Sequence, residues 1–236
     1  MKKLLFFVLL MTITAVKVKA QYTTLIHFKL YLEGLYIPNS NGYMQATLDY
    51  DFINQAYFYK WGPNIADSIN IEIWDTSCNY IASYYAKLNT NGNCYVSING
   101  IPYGNYYFGI ITRNHLVTYS QIVPCSTATV NYNFSTAVTQ AYKWSGGEDP
   151  QVEVESGIWA FYLGDIFGVV GGTNIYQDGL VDFDDYNVFE PDFLNNALGY
   201  LPSDFDGNGQ VNINDSLLIA PRINAGNYAQ YPCSYP

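Results

Sequence analysis

The stretch Asp204-Phe-Asp-Gly-Asn-Gly-Gln-Val-Asn-Ile-Asn-Asp215 constrains this chain more than any other. Oxygen-bearing side chains fall at positions 1, 3, 5, 9 and 12 of a twelve-residue window, with Gly209 at position 6. A tightly wound loop points alternate residues at its centre, so Asp204, Asp206 and Asn208 can converge on one hard cation. Gln210 offers its backbone carbonyl and Asn212 reaches through a water. Gly209 permits the positive φ of the sharp turn, and Asp215 closes the shell from the first turn of a following helix. The twelve-residue calcium pattern prefers Glu at that last position, and Asp is a methylene shorter.

Shifting the chain by thirty residues lays Gly179 on Gly209, Val181 on Val211, Asp185 on Asp215 and Pro191 on Pro221. The repeat makes Asn174-Ile-Tyr-Gln-Asp-Gly-Leu-Val-Asp-Phe-Asp-Asp185 a second loop. Its ligands are Asn174, Asp178, the carbonyl of Leu180, Asp182 and Asp185. Position 1 is an amide and position 3 holds Tyr176, so the site carries less charge and is expected to be the weaker of two calcium sites. Each loop runs into a short helix, Phe183 to about Glu190 and Ile213 to about Ala220, stopped by Pro191 and Pro221. Helices this short have little stability alone, so cation binding and folding are expected to be one event.

The remaining chain divides by composition. Residues 1–20 read as a secretory signal peptide: Lys2 and Lys3, an apolar run from Leu4 to about Val16, then Val18-Lys19-Ala20 before Gln21. No later stretch is apolar enough for a bilayer, so no stable membrane insertion follows signal removal. Residues 21–146 hold six acids against five bases, whereas residues 147–236 hold fourteen acids against Arg222 alone. That surface attracts cations and repels nucleic acid. Cys78, Cys94, Cys125 and Cys233 suit an oxidising compartment and allow three connectivities. Cys78 with Cys94, and Cys125 with Cys233, is one arrangement; free buried thiols are another.

From Thr23 to about Thr136 the chain reads as some eight short strands separated by turns, which predicts an antiparallel β-sandwich over residues 21–143. Phe28, Leu30 and Leu32 share one face, as do Ile69, Ile71 and Ile73, with Asn70 and Glu72 opposite. Residues 144–163 form a linker with a possible last pair of strands at 151–154 and 158–163. Most of the 24 tyrosines lie in the first unit; they are read as half-buried strand residues with wet hydroxyls, the alternative being a sugar-stacking platform. His27 falls in a strand and His115 in a polar turn, in neither case as a zinc-type pair. No nucleophile elbow or phosphate loop is present. The chain is expected not to be an enzyme.

Two resemblances sharpen this reading. Asn89-Thr-Asn-Gly-Asn-Cys-Tyr-Val-Ser-Ile-Asn-Gly-Ile-Pro-Tyr-Gly-Asn-Tyr-Tyr107 is similar to prealbumin-like, or carboxypeptidase-regulatory-like, sandwiches of surface proteins, which implies an Ig-like spacer or binding scaffold. The two loop–helix units of residues 164–236 resemble a dockerin, an EF-hand-like module without the entering helix. Leu198-Gly-Tyr-Leu-Pro-Ser-Asp204 looks like dockerin-like tails of Bacteroidetes-type secreted proteins. The resemblance implies two calcium ions and a cohesin-like protein partner met through Phe183-Asp184 and Ile213-Asn214. These pairs differ from the Ser/Thr pairs of cellulosome dockerins, and the tail can instead pack on its own sandwich. The combined expectation is mainly β: an Ig-like sandwich followed by a small α-helical calcium module. Such a protein is secreted or displayed on the bacterial outer surface and serves interaction or adhesion. The alternative is a dockerin-bearing component of polysaccharide degradation, binding glycan or assisting a glycoside hydrolase.

Overall fold

A computed structural model describes residues 23–233; the expected signal peptide lies outside them. The strands are β1 (Thr23–Lys29), β2 (Leu48–Asp51), β3 (Ala56–Tyr59), β4 (Ile65–Asp75), β5 (Tyr80–Asn89), β6 (Asn93–Asn99), β7 (Gly104–Ile111), β8 (Thr118–Tyr119), β9 (Val123–Cys125), β10 (Thr129–Asn133), β11 (Gln151–Glu155), β12 (Ile158–Phe161), β13 (Gly168–Val170) and β14 (Thr173–Ile175). Two helices follow, α1 (Phe183–Leu194) and α2 (Ile213–Ala225). The molecule is mainly β, built on one curled eight-stranded sheet in the order β10-β1-β6-β5-β4-β7-β8, with β9 also on β7.

The sheet curls because β5 and β6 pair only at Leu88 and Cys94, beside the turn at Gly92. Its two halves then face each other. Phe28 of β1 meets Phe108 of β7 edge to face at 5.3 Å, although the two strands are not neighbours in the sheet. The alternation read from sequence sets which side chains point inward. Phe28, Leu30, Leu32, Ile69, Ile71 and Ile73 are all buried, and Phe134 and Phe161 complete the same core. Each such side chain contributes about 1.5–3 kcal/mol. Two features depart from a wholly antiparallel sandwich: the pairing runs through one continuous sheet, and β1 and β10 are parallel.

The segment at 151–161 is part of this body. β11 and β12 form a hairpin, and Phe161 bonds Tyr31 and Glu33 through the backbone while its ring enters the core. The acidic half then packs on one end of the sheet through polar contacts and through a small apolar cluster of Leu116, Val181 and Ala229. Arg113, between β7 and β8, pairs with buried Asp67 and donates to the carbonyl of Leu201. Its guanidinium lies 4.4 Å from the ring centre of Tyr200, whose hydroxyl donates to Asp67. On the opposite side Arg222 of α2 donates to Glu33 at 2.6 Å. Packing against the chain's own sheet, one of the two arrangements foreseen for the tail, is what the structure contains.

Cys78 and Cys233 form a disulfide, which ties the end of the acidic half to the β4–β5 turn. The pairing of Cys78 with Cys94 is therefore not made, because Cys94 points into the core as a free thiol, as does Cys125. Burial pushes the Cys94 thiol up to about 12 and the Cys125 thiol to about 11.

Candidate metal centre

The loop 204–215 is organised around buried carboxylates. One oxygen from each of Asp204, Asp206 and Asp215 lies within 4.8 Å of the others. Asp215 is third in α2, and its Oδ2 accepts from the backbone N–H of Asn212 while the Asn212 side chain caps the helix in return. This reciprocal capping box fixes the carboxylate. Its Oδ1 accepts from the N–H groups of Phe205 and Asp206. The helix start thus holds the two ends of the loop together. Gly209 sits at φ 83° and donates to Asp204 Oδ2. A Cβ there would meet the ring of Tyr57 at 2.9 Å. Asn208 and Asn212 accept from the N–H groups two residues onward, Gln210 and Asn214, and Gln210 gives its carbonyl to the Asn212 amide.

The other Asp204 oxygen, Oδ1, is buried and has no partner. Burial pushes the Asp204 carboxyl up to about 8, with Asp215 and Asp206 adding repulsion and Arg113 opposing it. Asp215 is raised to about 6, chiefly by burial. Buried carboxylates that repel one another across an oxygen-only cluster are costly alone and are relieved by a divalent cation. Hard oxygen donors of this kind fit calcium.

The first loop follows the same plan, but with a different first residue. Asn174 lies in β14, is exposed, and bonds only the Tyr176 hydroxyl among the side-chain contacts of the described residues. The place that Asp204 holds in the second loop belongs here to Asp165. Gly179 (φ 84°) donates to Asp165 Oδ2 as Gly209 does to Asp204. Ile166 donates to Asp185 Oδ1 as Phe205 does to Asp215, and Asp182 donates to Asp185 Oδ2 as Asn212 does to Asp215. Asp165 is 1% exposed, and its Oδ1 is again buried without a partner. Burial raises its carboxyl to about 8, followed by repulsion from Asp185 and Asp178, and burial likewise raises Asp185 to about 7.

Asp165 and Asp204 stand thirty-nine residues apart, against thirty for Asp185 and Asp215, and the excess is the hairpin β13–β14. Position 3 then falls to Phe167, which brings no oxygen; Asp178, Leu180 and Asp182 keep positions 5, 7 and 9. Asp165 is the residue that pattern matching misses. The signal was an aspartate followed by an apolar residue: Asp165-Ile166 and Asp204-Phe205, with both apolar side chains fully buried.

The two units interlock about an approximate twofold. Val211 donates to Ala197 and Gly199 to Gly209, while Val181 donates to Asn227 and Ala229 to Gly179. Each loop is thus paired with the segment that leaves the other unit's helix. Both helices continue past their prolines, to Leu194 and Ala225, rather than stopping at them. Pro191 and Pro221 lie on exposed faces, as do Asn187 and Leu217 whose carbonyls lose a donor, so water can satisfy them. Phe193 and Ile223 beyond the prolines gain packing on the shared core.

The expected partner residues Phe183, Asp184, Ile213 and Asn214 all open their helices and are exposed, with Phe183 at 73% and Ile213 at 59%. His115 is not an ordinary turn residue. It is buried, with Nδ1 against Thr112 Oγ1 and Nε2 on the Glu33 carbonyl, and burial lowers it to about 4. On β3, Tyr57, Phe58 and Tyr59 are all exposed, Tyr57 and Tyr59 on one face and Phe58 on the other.

No family model and no curated protein matches the chain. Among solved structures, it is similar to a chain of a type II Cohesin-X-Dockerin complex from Acetivibrio cellulolyticus, a C-terminal interface mutant. The identity is 16% and the TM-score 0.46, over 87% of this chain and 97% of the other. An N-terminal interface mutant of the same type of complex gives 14% identity and a TM-score of 0.45, over 84% and 94%. At this level the likeness assigns neither family nor function.

Proposed function

We propose that residues 164–236 bind two calcium ions, and that the protein is a secreted or cell-surface, non-enzymatic interaction or adhesion module. The observation that carries this reading is the pair of buried position-1 aspartates, Asp165 and Asp204, each with one carboxylate oxygen held by a loop glycine and the other without a partner. Asp204, Asp206, Asn208, Gln210, Asn212 and Asp215 hold one ion; Asp165, Asp178, Leu180, Asp182 and Asp185 hold the other. The second loop, with a carboxylate at position 3, binds more tightly. A protein partner meets the exposed helix starts at Phe183-Asp184 and Ile213-Asn214, which the twofold presents as a matched pair. Among the described residues, no helix is long and apolar enough to cross a membrane.

Calorimetry on the whole chain tests the reading. Two calcium ions per chain are expected, with a melting point that rises with calcium and falls on chelation. Joint Asp204→Ala and Asp206→Ala substitution removes the tighter ion and most of that rise. A chain that takes up no calcium, or melts identically with chelator, refutes it. Recruitment to a polysaccharide-degrading assembly is the second reading, favoured by the exposed helix starts. It predicts calcium-dependent capture by a cohesin domain that Phe183→Ser with Ile213→Ser abolishes.

A further inference from the structure

The turn at residues 112–115, between β7 and β8, meets the backbone of Asp204 directly and that of Asp165 through Gly164 and the Gln177 side chain. The Asn114 side-chain amide is fully buried and donates to the carbonyls of Pro202 at 3.0 Å and Asp204 at 3.2 Å. The Asn114 carbonyl accepts from Gly164, the residue before Asp165. From the other side, the Gln177 amide donates to the Asp165 carbonyl at 2.8 Å and the Thr112 carbonyl at 3.1 Å. His115 stiffens the turn from within, held by Thr112 and by the Glu33 carbonyl. Leu163 and His115 are also bridged through their backbones. The two aspartates with unpartnered buried oxygens are therefore seated on one four-residue turn of the sheet.

We infer that this turn is a shared seat that positions the first calcium ligand of both loops, Asn114 holding Asp204 and Gln177 holding Asp165. This rests on the two-calcium reading above and adds a role for the sheet. Neither Asn114 nor Gln177 is a ligand; each fixes the main chain from which a ligand projects. A residue of this kind changes metal affinity by about 10-fold or more without contacting the ion. Because the seat is one turn, loosening it on one side moves the other side's ligand. The sheet thereby makes filling of one loop favour filling of the other.

The whole chain labelled with ¹⁵N-glycine reads the two loops separately, since Gly179 and Gly209 each donate to the first aspartate of their own loop. Calcium is titrated into wild type, Asn114→Ala and Gln177→Ala, with far-UV circular dichroism as the check on folding. Asn114→Ala is expected to lower the affinity read at Gly209 about 10-fold, and to lower the affinity read at Gly179 by several-fold as well. Gln177→Ala gives the mirror result, with its larger loss at Gly179. Should Asn114→Ala not fold, half-buried Gln177 provides the same cross-effect alone. If each substitution alters only its own loop, or neither loop, the seat is not shared and the inference fails while the calcium reading stands. If neither glycine responds to calcium in wild type, both fail.

Discussion

At the scale of single residues, the first loop turns on which oxygen occupies position 1. The thirty-residue repeat selects Asn174, but the hydrogen bonds select Asp165: a carboxylate, buried, and gripped by the glycine of position 6. The two choices make opposite predictions. On the proposed two-calcium reading, Asp165→Ala is expected to abolish calcium binding at the first loop, because it removes the carboxylate assigned to position 1. Asn174→Ala is expected to change that affinity less than 2-fold, since its amide bonds only Tyr176. Calorimetry of both variants decides between them, and a larger loss with Asn174→Ala would restore the uninterrupted loop. The gathering of Asp204, Asp206 and Asp215 was legible in sequence because the twelve residues of the second loop are contiguous, so spacing in sequence equals spacing in the turn. Asp165 was not, because a hairpin inserted between positions 3 and 5 leaves the loop's ends together in space while separating them along the chain.

At the scale of elements, that hairpin is the main difference between two otherwise matching units. Gly171 and Gly172, both at positive φ, make the two-residue turn between β13 and β14, the geometry that twisted hairpins favour. Sequence alone does not announce this turn, because glycine serves a tight turn and a loose linker equally well. The hairpin follows Phe167, which stands where the second loop has Asp206, so the first loop lacks that charge. Deleting residues 168–176 would join Phe167 to Gln177 and restore a contiguous twelve-residue loop, Asp165 to Asp185. Adding Phe167→Asp to the deletion restores the position-3 carboxylate. The combined variant is expected to bind calcium at this loop about 10-fold more tightly or better, because affinity in such loops follows ligand charge. An affinity equal to or below that of the parent would show that the hairpin supports the site. Strand faces were read from sequence with more success, as the burial of Ile69, Ile71 and Ile73 shows, since a period of two survives any curvature of the sheet. Sheet closure was less legible, because it depends on the break in β5–β6 pairing and on the parallel return of β10, neither of which has a local signature.

At the scale of the molecule, several contacts hold the acidic half to the sheet, among them Arg113 with Asp67 and Tyr200, Arg222 with Glu33, the apolar cluster of Leu116, Val181 and Ala229, and the disulfide from Cys78 to Cys233. The charged contacts alone are a modest anchor. Glu33 is buried enough for its carboxyl to be raised despite Arg222, so desolvation cancels much of what the pair gains. The covalent tie is of another kind. It joins residues 155 apart in sequence, and a loop of that length restricts the unfolded chain by about 5 kcal/mol in the loop-entropy picture. It also keeps the acidic half near its seat whenever the polar contacts open. Replacing both cysteines by serine is therefore expected to lower the urea midpoint substantially, and to make the chelated protein lose the docking of residues 164–233 before the sheet unfolds. Two observables report this: a second, earlier transition in the calcium-free variant, and fast proteolytic cleavage near Gly164 that the parent resists. Thiol reagents supply the control. In the folded parent Cys94 and Cys125 stay unreactive, because both are buried and their thiols are held in the neutral form. A variant that unfolds in one step at the parent's urea midpoint would mean that the non-covalent contacts suffice, and that the disulfide adds nothing to the docking.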